Sequence, residues 1–298
     1  MRSQTTLAHP VRVHGVGLHT GSPVEVILRP GEADDGIVFY RTDVGQEGRE
    51  IRAVAEEAGR FDFSTSLGPR GEDIGTVEHF LSAAYGSGID NLVVEVDGPE
   101  MPILDGSALP WLRAFRTAGV IRLQDSVAPY TPSRVLAAPP ATGKRLEIRP
   151  AAEFRITYSI DFPNPAIGEQ SVTLVITPDT FARHLAPART FGFLAEYEML
   201  RSKGLARGAR PDNCIIVGDR QVENGDLRFP DEFVRHKALD LIGDLALVGA
   251  PIHGHVVAHR AGHAMHTALA ALIRKEMVER GRGFSPALRS SSRALAAR

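Results

Sequence analysis

Cysteine is nearly absent: Cys214 is the only one among 298 residues. A disulfide framework is therefore excluded, and a single thiol fits a reducing compartment. Long apolar runs are missing too. A bilayer-spanning helix takes ~20 mostly apolar residues, whereas the longest apolar-rich run, Leu245 to Ile252, is short and contains Gly249 and Pro251. The start, Met1-Arg-Ser-Gln-Thr-Thr-Leu7, lacks the charged-then-apolar order of a signal peptide. The expectation is a cytoplasmic protein with no stable membrane insertion. Surplus charge is also lacking, with 34 Lys+Arg against 36 Asp+Glu and a net charge of -2. Polyanion binding draws on a basic surplus, and 6% aromatic residues offer few stacking platforms. Nucleic acid is not an expected partner. What is present, 43% hydrophobic and 23% charged residues, is ordinary globular composition. The length suits one large domain or two smaller ones, either able to bury a sizeable core.

Strand patterns and turn signals alternate along the first half. Val24, Val26 and Leu28 share one face of a strand at 23–29, and 91–97 reads as another strand between Gly88 and Gly98-Pro99. Between them Val77, Phe80, Leu81, Ala84 and Tyr85 fall at helical spacing, with Thr76 as N-cap and Gly86 as stop. A short helix is expected at 111–118. The stretch 124–143, rich in Pro, Ala, Ser and Thr, is the linker candidate. Beyond it come strands at 154–160 and 171–177, helices near 179–185 and 194–203, and a short strand at 214–217. A long helix at 231–248, a strand at 255–259 and a closing helix at 264–280 follow. No residue-level repeat of solenoid period is visible. The expected fold is α+β: two similar domains, 1–125 and 126–280, each a small β-sheet packed on helices with a site between them, and a loose tail at 281–298.

Chemistry concentrates in four places. In the long helix His236, Asp240 and Asp244 are spaced by four, which stacks them on one face with Lys237 beside them. A polar stripe in an apolar helix needs partners, and imidazole with carboxylate suits Zn²⁺. The plain alternative is a solvated face carrying a His–Asp pair. Glu78-His79 opens the earlier helix, where neighbours diverge by ~100°. His79 could then join His236 and Asp240 as a third metal ligand, leaving an open position for water, while Glu78 serves as base. The plain alternative there is a surface pair. Five histidines lie within residues 253–266. Alternation sends His253, His255 and His259 to one strand face, and His263, in a glycine-flanked loop, is singled out as a catalytic candidate. Thr190, in the turn Ala188-Arg-Thr-Phe-Gly-Phe193, could donate to an oxyanion.

Taken together, the segments Gly15-Val-Gly-Leu-His-Thr-Gly21, Thr76-Val-Glu-His79, Gly88–Val96, Glu100-Met-Pro-Ile-Leu-Asp-Gly-Ser107, Ala188–Phe193, Phe233–Asp244 and Gly262-His263 closely resemble the zinc-dependent UDP-3-O-acyl-N-acetylglucosamine deacetylases of lipid A biosynthesis. Seven ordered motifs are far more specific than any one of them. The resemblance implies hydrolysis of the acetamide of a UDP-linked acylated amino sugar, releasing acetate and a free amine. It implies Zn²⁺ on His79, His236 and Asp240, zinc-activated water as nucleophile and Glu78 as general base. His263 matches a general acid or cationic stabiliser, and Asp244 its orienting partner. Thr190 and Lys237 match groups at the acetyl centre. Phe191 and His19 match substrate-contacting positions. No Gly-x-Ser-x-Gly elbow is present, consistent with a reaction that needs no nucleophilic Ser or Cys. The alternative is a non-catalytic or other-ligand protein on the same fold, against which the intact set of residues argues. Ala209, Arg210 and Pro211 depart from the small residues usual near the acyl passage, so acyl-chain length stays open. The stretch 47–71 is poorly matched and reads as an insert of the first domain. Oligomeric state and the choice between zinc and iron are not set by these motifs.

Overall fold

The structure is a computed structural model that describes residues 1–281 except Glu47, Arg60 and Asp62. The expected tail, apart from Gly281, lies outside the described residues. Strands β1 (Arg2–Leu7), β2 (Val11–Val16), β3 (Pro23–Pro30), β4 (Ile37–Arg41) and β5 (Arg49–Arg52) precede helix α1 (Glu78–Ser87). Then come β6 (Leu92–Val96), α2 (Leu109–Ala118), β7 (Val120–Val127), β8 (Leu136–Ala137), β9 (Arg145–Pro150), β10 (Phe154–Asp161) and β11 (Glu169–Val175). Helix α3 (Pro178–His184), β12 (Phe191–Phe193), α4 (Tyr197–Ser202) and β13 (Ile215–Val217) lead to α5 (Glu232–Leu245), β14 (Gly254–His259) and α6 (His263–Glu279).

Two five-stranded sheets share one topology. The first has the order β2-β3-β6-β4-β5 and the second β8-β9-β14-β10-β11. Each has a single parallel pair, β4 with β6 and β10 with β14, and every other pairing is antiparallel. In each half a helix leads into the parallel strand, and a second helix follows it. Helices α1 and α5 thus occupy equivalent places, as do α2 and α6. Helices α1 and α5 pack against each other, α2 packs on α1, and α6 packs on α5. This is an α+β fold, with the helices of the two halves meeting between their sheets.

Burial follows the pleat where the sequence alternates: Val24, Val26 and Leu28 are buried in β3, and Phe154, Ile156, Tyr158 and Ile160 in β10. The close approach of α1 to α5 depends on Gly243. A Cβ there would stand 2.0 Å from the Glu78 carbonyl oxygen, so only glycine lets the two backbones meet.

Several local expectations are corrected. Thr76 is not the cap of α1. Val77 holds that place without a side-chain cap, and Thr76 sits at φ 56° with its hydroxyl donating to Glu100 Oε1 at 2.9 Å. Gly86 does not end the helix. It lies inside it because a Cβ would strike the Phe181 ring at 2.4 Å, and Gly88 in the left-handed region closes the turn. The stretch 124–143 is more than a connector: it includes the end of β7, all of β8, and a buried Tyr130 bridged to Ile252. Within 47–71, β5 is an edge strand of the first sheet, paired with β4.

Candidate metal centre and its surroundings

Helix α5 carries its polar stripe indoors. His236 and Asp240 are each 2% exposed and Asp244 is fully buried, which rules out the solvated face. Glu78 and His79, in the first turn of α1, are 3% and 5% exposed, so they are no surface pair. Packing of α1 on α5 brings His79, His236 and Asp240 together, with one ligand atom from each within 4.8 Å of the others. Nε2 of His236 is 3.3 Å from Asp240 Oδ1, and Nε2 of His79 is 3.6 Å from the same oxygen. Tetrahedral ligands ~2.0–2.1 Å from a metal would be about 3.4 Å apart, close to both separations.

The donor chemistry fits a divalent cation. Asp240 Oδ1 is buried with no hydrogen-bond partner, an expensive condition for a carboxylate oxygen unless something positive meets it. His236 can donate from Nδ1 to the Ala188 carbonyl at 3.1 Å, which leaves the Nε2 lone pair facing Asp240. Burial lowers the His236 pKa to about 4, against the pull of Asp240, so this imidazole is neutral at pH 7. Asp240 stays ionised: burial opposes its charge, but His236 and Lys237 together hold it well below the usual carboxylate range. Lys237 Nζ is 2.7 Å from Asp240 Oδ2. The ammonium is thus engaged by the carboxylate's other oxygen.

Glu78 lies beside this cluster. Burial pushes its pKa up, against the opposing pull of His263 and His79, and Oε2 accepts from the Thr65 backbone N–H at 3.1 Å. A carboxyl group with raised pKa in a buried polar cleft is suited to take and return a proton.

His263 is the first residue of α6 rather than part of a loop, with Gly262 as its extended N-cap. A helix N-terminus disfavours a cation, and burial does the same. Asp244 outweighs both: its Oδ2 lies 2.8 Å from His263 Nδ1, and the imidazole pKa rises to about 9. His266 and Thr65, neither singled out as functional from the sequence, also bind Asp244. His266 Nδ1 is 2.8 Å from Oδ2, and the Thr65 hydroxyl donates to Oδ1 at 2.6 Å. Asp244, His263 and His266 form a second group compact enough for a metal ion, but their facing atoms already bond one another. His255 and His259 of the same tract face away. His255 meets the Thr157 hydroxyl and His259 the Ser159 hydroxyl, both at 2.9 Å on the outer face of the sheet.

The turn holding Thr190 is fixed through its backbone, which donates to Gly106 O and accepts from Ile215 N, each at 2.8 Å. Just before it, the Arg189 guanidinium pairs with the fully buried Glu232 at 2.9 Å. Phe191 stacks edge-on against Phe233 with ring centroids 5.0 Å apart, and lies 6.3 Å from the His236 ring. His19 is not hydrogen-bonded to the cluster. Both its ring nitrogens are buried without a partner, and Phe63 is its aromatic neighbour at 6.5 Å. Its loop is held by Glu100, another residue given no role from the sequence, which accepts from His19 N, Thr20 N and Thr20 Oγ1 at 2.8 Å each. The segment 204–213 docks on that loop through Arg207 N to His19 O at 3.1 Å and Gly208 N to Leu18 O at 3.0 Å. A cavity of about 750 Å³ opens elsewhere, between Arg2, Tyr85, Phe154, Pro251 and Arg274, and contains none of these groups.

A buried two-histidine, one-carboxylate seat with a further carboxyl group beside it is the equipment of a metal-dependent hydrolase, and the chain is of that class. The model of the UDP-3-O-acyl N-acetylglycosamine deacetylase family matches residues 4–275. Among similar proteins, the UDP-3-O-acyl-N-acetylglucosamine deacetylase of Solibacter usitatus is 46% identical over 274 residues, 92% of each chain. That of Myxococcus xanthus is 45% identical over 276 residues, 92% of this chain and 86% of the relative. That of Syntrophotalea carbinolica is 42% identical over 261 residues, 87% and 84% of the two chains. The chain belongs to the UDP-3-O-acyl N-acetylglycosamine deacetylase family. Among the described residues no helix is long and apolar enough to cross a membrane.

Proposed function

We propose that this protein hydrolyses the acetamide of a UDP-linked, 3-O-acylated N-acetylglucosamine, a step of lipid A synthesis, with zinc held by His79, His236 and Asp240. The observation that carries the metal seat is the orphaned, buried Asp240 Oδ1 facing two imidazole Nε2 atoms. Bound there, zinc would supply a Lewis acid and lower the pKa of a water molecule to ~7.

The chain's own residues do the rest. Glu78 accepts the proton of the attacking water as its oxygen bonds to the acetyl carbon. Thr190 steadies the oxygen that gains charge. Lys237, held on Asp240 Oδ2, adds a positive charge near that centre. His263, kept cationic by Asp244, either stabilises the same charge while Glu78 returns the proton it took to the departing nitrogen, or hands its own proton to that nitrogen and is reprotonated at the expense of Glu78, as the C–N bond breaks. Acetate and the amine leave, and the proton count closes. Phe191 and His19 line the approach of the sugar and acyl chain. We place the boundary between the two domains near 125/126, within β7.

Metal content and acetate release from the UDP-sugar, measured before and after chelation and after adding zinc back, test this reading. Turnover should fall with the metal and return with it. Full activity in metal-free protein would overturn it.

A further inference from the structure

Asp244 is held from three sides, and only one of its partners has a role in the reaction above. Its Oδ2 takes two imidazole nitrogens at equal distance, Nδ1 of His263 and Nδ1 of His266, each at 2.8 Å. Its Oδ1 takes the Thr65 hydroxyl at 2.6 Å. His263 and His266 are three apart on α6, so both rings point to the same side of the helix. His266 is fully buried. Its far nitrogen, Nε2, lies 3.2 Å from the Tyr158 hydroxyl, which donates to the Ala261 carbonyl at 2.8 Å. The ring is therefore anchored to β10 at one end and to the carboxylate at the other.

A carboxylate has about four acceptor sites. With His263 as its sole imidazole partner, Asp244 could turn and offer either oxygen. A second N–H on Oδ2 and a hydroxyl on Oδ1 leave it one orientation. That orientation holds His263 by Nδ1 and sends Nε2 toward Asp240, whose Oδ2 is 4.0 Å away. We propose that His266 is a positioning residue of the deacetylation reaction, fixing the Asp244 carboxylate so that His263 Nε2 faces the reacting centre. The inference rests on the proposed role of His263 and adds a residue that acts through Asp244 without touching substrate.

Two substitutions separate positioning from mere filling. His266→Leu keeps the volume and removes the donor. His266→Asn places an amide N–H where Nδ1 stands. The expected result for H266L is a fall in kcat of roughly 10–100-fold, the scale for losing a hydrogen bond that orients a working group. KM should stay within about two-fold, and metal content per chain should not change. H266N should restore kcat to within a few-fold of wild type. Tyr158→Phe, which frees the ring's other end without touching Asp244, gives a second reading if H266L folds poorly: a smaller loss, again in kcat alone. The proposal is overturned if H266L turns over within two-fold of wild type, or if H266N is as impaired as H266L with metal lost in both. Wild-type protein loaded with zinc that releases no acetate would overturn the proposed function and this inference together. An active wild type with an indifferent H266L overturns the inference alone.

Discussion

The two halves of the molecule have the same strand order, the same single parallel pair and the same two helices, yet they contribute unequally to the site. The first half contributes Glu78 and His79 at the start of α1, Thr65 thirteen residues earlier, and His19 at the approach. The second contributes His236, Lys237, Asp240 and Asp244 on α5, then His263 and His266 on α6. The contrast is sharpest between the equivalent helices α2 and α6. Helix α2 buries Trp111, Leu112, Phe115 and Ala118, an apolar face with nothing to titrate. Helix α6 buries His266 and Thr267 beside Leu269, Ala270 and Ile273. A repeated topology therefore fixes where helices meet, but it does not say which of them can carry polar groups. Buried charge is affordable on α5 because several groups share it: Asp240 is met by Lys237 and Asp244 by two imidazoles.

The largest effect should come from separating the halves chemically. His79→Ala takes away the only ligand from the first half, and His236→Ala takes one of two from the second. Both should remove bound metal and activity together, as read by elemental analysis and acetate release. Activity persisting in either without metal would break the seat. Next in size is Glu78→Gln, which should keep metal and lower kcat by about 10²–10⁴-fold, the usual worth of a general base. A loss of only a few-fold would move the base elsewhere.

The grouping of His79, His236 and Asp240 was legible in the sequence because its signal is local: the four-residue spacing on α5 and the adjacent Glu78-His79 both depend only on a helix forming. What joins them is not local. Thr65 sits 179 positions from Asp244, in a stretch without periodicity, and no spacing rule reaches that far. His266 was within reach, three residues after His263, but reading His263 as part of a loop hid the shared helical face. Strands were missed for a different reason. Residues Val120–Ser126 of β7 are almost wholly exposed, and β7 is held to β1 by backbone pairing, so it has no buried face to leave an alternating pattern.

A third test sets the two halves of the acid–base pattern against pH. In chelated protein His236 has a folded pKa of about 4, below its ordinary 6.5. As pH falls from 6.5, the unfolded chain takes up a proton that the folded chain refuses, so stability is lost toward pH 4. His263, raised to about 9, works the other way. Its contribution is complete below about 6.5 and is lost as pH rises through 9. Each limb has an upper limit of about 3 kcal/mol. Thermal melts of chelated protein should therefore peak near pH 6.5. His236→Ala should flatten the acid limb and His263→Ala the alkaline one. A limb that survives its own substitution assigns it to another group.

The smallest effect concerns the contact that lets the halves share a site. Gly243 lies against the Glu78 backbone, and a methyl group there meets carbonyl oxygen and carbon rather than a side chain that can turn aside. Relief requires α1 and α5 to part until the 2.0 Å approach opens to at least about 3 Å. Gly243→Ala should cost about 1–3 kcal/mol in denaturant unfolding, the range for overpacking. A helix-favouring residue would otherwise stabilise α5 by up to about 1 kcal/mol, so the sign of the change decides the matter. The same parting moves His79 relative to His236 and Asp240, and metal affinity should fall with stability. If Gly243→Ala is neutral or stabilising and binds metal normally, the close approach of the two helices is not what brings the ligands within reach.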